Sequence, residues 1–85
     1  MITYTVKHHV PGRIRVEVPA LRSLSRRELE QLGLLLMPSP SGIRDVSVNP
    51  LTGSIVIQYE PQMINILEYI RSLVSNEKIK TIVEA

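Results

Sequence analysis

Ile43-Arg44-Asp45-Val46-Ser47-Val48-Asn49-Pro50-Leu51-Thr52-Gly53-Ser54-Ile55-Val56-Ile57-Gln58-Tyr59 is the stretch whose reading decides the fold. It holds two β-branched runs, Ile43 to Val48 and Ser54 to Tyr59. Between them stand five residues containing Asn, Pro and Gly, the composition of a turn, so the natural reading is a β-hairpin. Val46 and Val48 share one face of the first run, and Ile55, Ile57 and Tyr59 share one face of the second. Side chains alternate across a strand, so one side of this hairpin is apolar and the other is polar.

Upstream, Arg13 to Val18 alternates in the same way, with Ile14, Val16 and Val18 against Arg13, Arg15 and Glu17. Ile2 to Val10 is also strand-like, and Pro11-Gly12 interrupts the two. They read equally as one kinked strand or as two strands of a hairpin, because proline removes a ladder donor and glycine frees the backbone. Ser25-Arg26-Arg27-Glu28 fits a capping box. Leu29, Leu32, Leu35 and Leu36 follow it at helical spacing, and Met37-Pro38 closes that helix. Downstream, Pro61 suits a helix's first turn. Met63, Ile66, Leu67, Ile70, Leu73 and Val74 form an apolar stripe, with Met63 as a core residue. Lys78 to Val83 reads as a closing strand. The expected order is strand, helix, strand, strand, helix, strand over a single domain, residues 1–85. That is an α+β, ferredoxin-like βαββαβ sandwich, an antiparallel sheet with two helices on one face. The opposite face is expected to carry Arg13, Arg15, Glu17, Asp45, Ser47, Ser54, Val56 and Gln58.

Two segments add a family resemblance. His9-Val10-Pro11-Gly12-Arg13-Ile14-Arg15 resembles an H-x-x-P-G-R-x-R opening, with one residue of slack at the histidine. Gly42 to Pro61 resembles the central hairpin of heavy-metal-associated domains, with the pattern G-[IV]-x-x-V-x-V-N-x-x-T-G-x-[IV]-x-[IV]-x-Y-[DE]-P. The resemblance covers about residues 6–84 and is closest to the cysteine-free variety found beside or within cation-transporting P-type ATPases. In metal-binding members of that family, two thiolates on the loop after the first strand hold a soft ion. Here that loop reads Pro19-Ala20-Leu21-Arg22-Ser23, and the chain has no cysteine. Soft ions such as Cu(I) prefer sulfur, so the resemblance implies the fold without that metal site.

Zero cysteines also exclude disulfides and thiol nucleophiles. No apolar run approaches the roughly 20 residues of a membrane span, and no signal-peptide pattern opens the chain, so the expected location is cytoplasmic, or the cytosolic part of a transporter. Charge is one-sided. Residues 1–27 carry a net +5 and residues 28–85 a net −3. Lys7, Arg13, Arg15 and Arg22 are therefore the candidate residues for an anionic partner. His8 and His9 are the imidazole pair, the candidate ligands for Zn, Cu or Ni, although neighbours on a strand point to opposite faces. Nucleic acid is the weaker partner reading, since the chain has no Phe or Trp for base stacking and Tyr59 shares the core face. No paired-carboxylate, nucleophile or phosphate-loop motif is present, so no catalytic residue and no enzyme activity is expected.

The leading expectation is a non-enzymatic accessory or regulatory domain that works by protein contact in metal-ion transport or homeostasis, with no cofactor. Its partner would be a protein such as a cation transporter, or a second copy joined through a strand edge. The alternatives are metal binding through His8 and His9, as a chaperone or sensor, and anionic-ligand or nucleic-acid binding by the arginine-bearing sheet face.

Overall fold

The computed structural model describes residues 2–36 and 40–84. Met37 and Pro38, read above as a helix end, lie outside the described residues. Strands β1 (Thr5–Val10) and β2 (Arg13–Glu17) are followed by a 3-10 turn at Pro19–Ser23, helix α1 (Arg26–Leu36), strands β3 (Ile43–Asn49) and β4 (Ser54–Tyr59), and helices α2 (Ile66–Ser75) and α3 (Glu77–Val83). The four strands form one antiparallel sheet in the order β1-β2-β4-β3. This is an α+β architecture of the ferredoxin-like kind.

The open choice at Pro11-Gly12 resolves as a hairpin. Val10 pairs with Arg13 across a two-residue turn, and Gly12 takes φ 89°, which a side chain rarely tolerates. The Tyr59 amide donates to the Gly12 carbonyl at 3.0 Å, tying this turn to the end of β4. The second hairpin closes as its sequence implies, with the Leu51 amide donating to Asn49 Oδ1 at 3.0 Å. Gly53, at φ 67°, brings its carbonyl within 2.6 Å of the Val18 amide.

Two expectations fail, both near the C-terminus. Lys78–Val83 is not a strand but lies within helix α3. Asn76 decides this: its side-chain oxygen accepts from the amides of Lys78 at 2.9 Å and Ile79 at 3.2 Å, a strong helix start. Ile79 and Val83 then fall one turn apart and are both buried. The fourth strand of the sheet is supplied instead by the N-terminal segment, β1. The second helix also begins later than Pro61. Asn65 caps it, accepting from the Glu68 amide at 3.3 Å, and Met63 is 62% exposed rather than core.

The core forms where the inner face of β2 and β4 meets the helices. Ile14, Leu21 and Ile57 are its most deeply buried large side chains. Leu32 and Leu36 from α1, Ile66 and Ile70 from α2, and Ile79 and Val83 from α3 pack against them, together with Ile2, Val16, Val18 and Tyr59. Helix α3 lies against both α1 and α2. The capping box of α1 is present in full: the Glu28 amide donates to Ser25 Oγ at 3.2 Å, and the Ser25 amide donates to Glu28 Oε1 at 2.8 Å. The Ser25 amide, and after it the Ser25 hydroxyl, hold the Glu28 carboxyl below its ordinary range.

Candidate functional site

The outer face of the sheet follows from register. Residues directly opposite on antiparallel strands share a face. His8 pairs with Arg15, which pairs with Val56, which pairs with Ser47. One row along, Val10 pairs with Arg13, then Gln58, then Asp45. The polar face therefore has the expected membership, with one adjustment. Ser54 belongs to its end row beside Glu17 but is buried, and its hydroxyl bonds that of Thr52.

The four cations singled out by sequence divide into two pairs. Lys7 and Arg22 both turn to Glu17: Lys7 Nζ lies 3.9 Å from one carboxylate oxygen, and a guanidinium nitrogen of Arg22 lies 3.8 Å from the other. Arg22 also donates to the Thr52 carbonyl at 3.2 Å, which holds it over the β3–β4 turn. Arg13 and Arg15 have no ion pair among the described residues. They stand two residues apart on a central strand, roughly 7 Å along it. Their neighbours are Val10, His8, Val56 and Gln58. Val10 is 43% exposed, so apolar surface borders the guanidinium pair.

The sequence alone does not place the flanking residues His8 and Val10 on this face, because it leaves the hairpin at Pro11-Gly12 open. His8 and Val10 reach this face only because Pro11-Gly12 folds β1 back on β2. The two-residue turn sets the phase of the last three residues of β1, and the bulge between Val6 and His8 shifts only the residues before it. The hairpin reading, followed by a count back from the turn, would have found them.

The two histidines are placed apart. His8 lies on the outer face beside Arg15 and has no hydrogen-bond partner among the described residues. His9 pairs with Ile14 on the inner face, where its Nε2 and the Tyr59 hydroxyl share a 2.7 Å hydrogen bond. The Tyr59 hydroxyl also lies 3.5 Å from the Val10 carbonyl. Among the described residues, no three His, Asp or Glu side chains gather as a metal site would require. The loop after β2, where a cysteine pair would be sought, is a 3-10 turn whose Leu21 is driven into the core, 1% exposed. Its residues, Pro19 to Ser23, offer no thiolate, imidazole or carboxylate. The loop is a structural plug, and a soft ion does not fit it.

No helix among the described residues is long and apolar enough to cross a membrane. The family model described as heavy metal associated domain 2 matches residues 2–81, nearly the whole chain. No curated protein and no solved structure matches it.

Proposed function

As this chain belongs to the heavy metal associated domain 2 family, we propose that it is a non-enzymatic recognition domain of metal-ion transport or homeostasis, acting by contact with an acidic protein surface. Arg13 and Arg15, without an ion pair among the described residues and on the same open sheet face, carry this reading. Guanidinium groups bind carboxylates through two parallel N–H···O bonds, and a pair spaced along a strand suits alternate acidic side chains on an extended segment. Lys7 and Arg22, held at Glu17, add positive field at the rim and would speed encounter more than they tighten the complex. The acidic partner is a protein of the same transport system, such as a cation-transporting P-type ATPase, and the domain works on the cytoplasmic side.

Two other readings are weaker. A base-stacking nucleic-acid interface would need aromatic groups on the outer face, and Tyr59 lies on the inner one. A Zn, Cu or Ni site through His8 and His9 would need both rings on one side of the strand, or a second molecule.

The test is affinity capture from native membranes at low salt, followed by calorimetry. Wild-type protein is expected to retain a metal-transport protein, to release it as salt screens the contact, and to lose it on Arg13→Glu/Arg15→Glu substitution. Zn(II), Cu(I) and Ni(II) are expected to give no heat. Equal capture by the charge-reversed variant would remove the arginine reading. Heat that vanishes in His8→Ala/His9→Ala would move the function to the histidines.

A further inference from the structure

The two arginine rows of the open sheet face are not equivalent. In one, Arg15 lies directly opposite His8, and in the next, Arg13 lies directly opposite Val10. We propose that His8 couples this face to pH, taking a proton from solvent as an acidic segment docks on Arg13 and Arg15. The imidazolium then joins Arg15 on one bound carboxylate, and the complex tightens as pH falls from about 7.5 to about 5.5. This inference rests on the arginines being the partner-binding surface, and adds how that surface is regulated.

His8 is exposed on the edge strand and has no hydrogen-bond partner among the described residues. Residues opposite each other on antiparallel strands hold their Cβ atoms about 4.5–5.5 Å apart. A carboxylate placed over the His8–Arg15 pair therefore meets the ring and the guanidinium together. His9 is unsuited to that part. It pairs with Ile14 on the inner face, and its Nε2 is bonded to the Tyr59 hydroxyl.

The charges around His8 make its proton depend on a ligand. Arg15 faces it directly, Arg13 and Glu17 stand on either side of Arg15 on the same face of β2, and Lys7 precedes it on β1. Glu17 is already engaged, by Lys7 at 3.9 Å and Arg22 at 3.8 Å. Asp45 lies on β3, two strands beyond Arg13, and accepts from Ser47 Oγ at 3.2 Å. Strand β4 brings Val56 and Gln58 to these rows, and neither titrates. Without a partner, an imidazolium at His8 faces the Arg15 guanidinium, and like charges directly opposite on a sheet repel. A carboxylate bound over the pair replaces that repulsion by two attractions. Binding and protonation then favour each other by the same factor, as linkage requires. Val10 gives the Arg13 row no such group, so the effect belongs to one row of the two.

Calorimetry with a synthetic peptide of alternating aspartates, at one ionic strength and two pH values, tests this. Both values lie above the ordinary range of aspartate carboxyls, so the peptide keeps its charge. Wild-type protein is expected to bind about fivefold tighter at about pH 5.5 than at about pH 7.5, the upper size of one exposed ion pair. At about pH 6.5, runs in buffers of different ionisation heat should show uptake of a fraction of one proton on binding. His8→Gln is expected to lose both the pH dependence and the proton uptake, and His9→Gln to keep them. Binding that Arg13→Glu/Arg15→Glu abolishes, yet is equally tight at the two pH values, would overturn the role of His8 and leave the arginine face standing. A pH dependence retained in His8→Gln would do the same. No binding of the peptide at either pH, or equal binding by the charge-reversed variant, would overturn the arginine reading and this inference together.

Discussion

Strand β2 lies between two contrasting surroundings. On one side Ile14 and Val16 are sealed against the helices, and Ile14 has no exposed surface at all. On the other, Arg13 and Arg15 stand on an open sheet with no ion pair among the described residues. Five consecutive residues thus serve two needs that physics keeps apart. Burial of alternate apolar groups holds the strand in place, since apolar area removed from water is the main favourable term in folding. The residues in between contribute little to that, because exposed charges add or remove only a few tenths of a kcal/mol. What occupies them answers to whatever the sheet meets.

The largest test of this contrast sets the two faces against each other in unfolding experiments. Ile14→Ala should cost about 2–5 kcal/mol by urea denaturation, the range for emptying a buried aliphatic site. Arg15→Ala should stay within about 0.5 kcal/mol of the wild type. A large loss at Arg15 would mean that the outer face is structural after all.

A smaller effect is expected where the chain departs from its sequence reading. Asn76→Ala removes the oxygen that starts α3, and should destabilise the protein by about 1 kcal/mol. It should also lower the helical circular dichroism. An unchanged spectrum would leave the start of α3 resting on burial of Ile79 and Val83 alone.

The smallest effect is a pH dependence at the start of helix α1. The Ser25 amide and hydroxyl hold the Glu28 carboxyl below its ordinary value of 4.5. A carboxyl depressed in the folded state contributes stability above its unfolded value, and that stability is lost as pH falls through the folded one. The urea-midpoint advantage of wild type over Glu28→Gln should therefore shrink steadily below about pH 4.5. A difference constant across that window would mean that the capping box adds nothing through its charge.

Much of the fold was legible because local signals agreed. The β3–β4 hairpin combines alternation on both sides with an Asn, a Pro and a Gly between, and it forms as read. The start of α1 is carried by Ser25 and Glu28 alone, and both hydrogen bonds are present. Signals that conflicted were misread. Lys78-Ile79-Lys80-Thr81-Ile82-Val83 supports a period of two through Ile79, Thr81 and Val83, and a helical period through Ile79, Ile82 and Val83. Two amides bonded to Asn76 tip the balance towards helix. Met63 fitted the apolar stripe by spacing, yet the cap at Asn65 begins the helix beyond it.

The candidate site divides in the same way. Alternation alone put Arg13 and Arg15 on the outer face. The tie of Lys7 and Arg22 to Glu17 depends on the bulge in β1 and on the 3-10 turn after β2, neither of which has a signature in the residues. The absence of cysteine removed the thiolate site. The buried Leu21 adds that the loop has been given another task, closing the core.

The most direct measurement is an NMR titration of the isotope-labelled domain with a peptide of alternating glutamates. Amide shifts are predicted to cluster at His8, Val10, Arg13, Arg15, Val56 and Gln58, to fade with added salt, and to disappear in Arg13→Glu/Arg15→Glu. Shifts centred on α2 and α3, or undiminished in the charge-reversed variant, would contradict the assignment of recognition to the open face of the sheet.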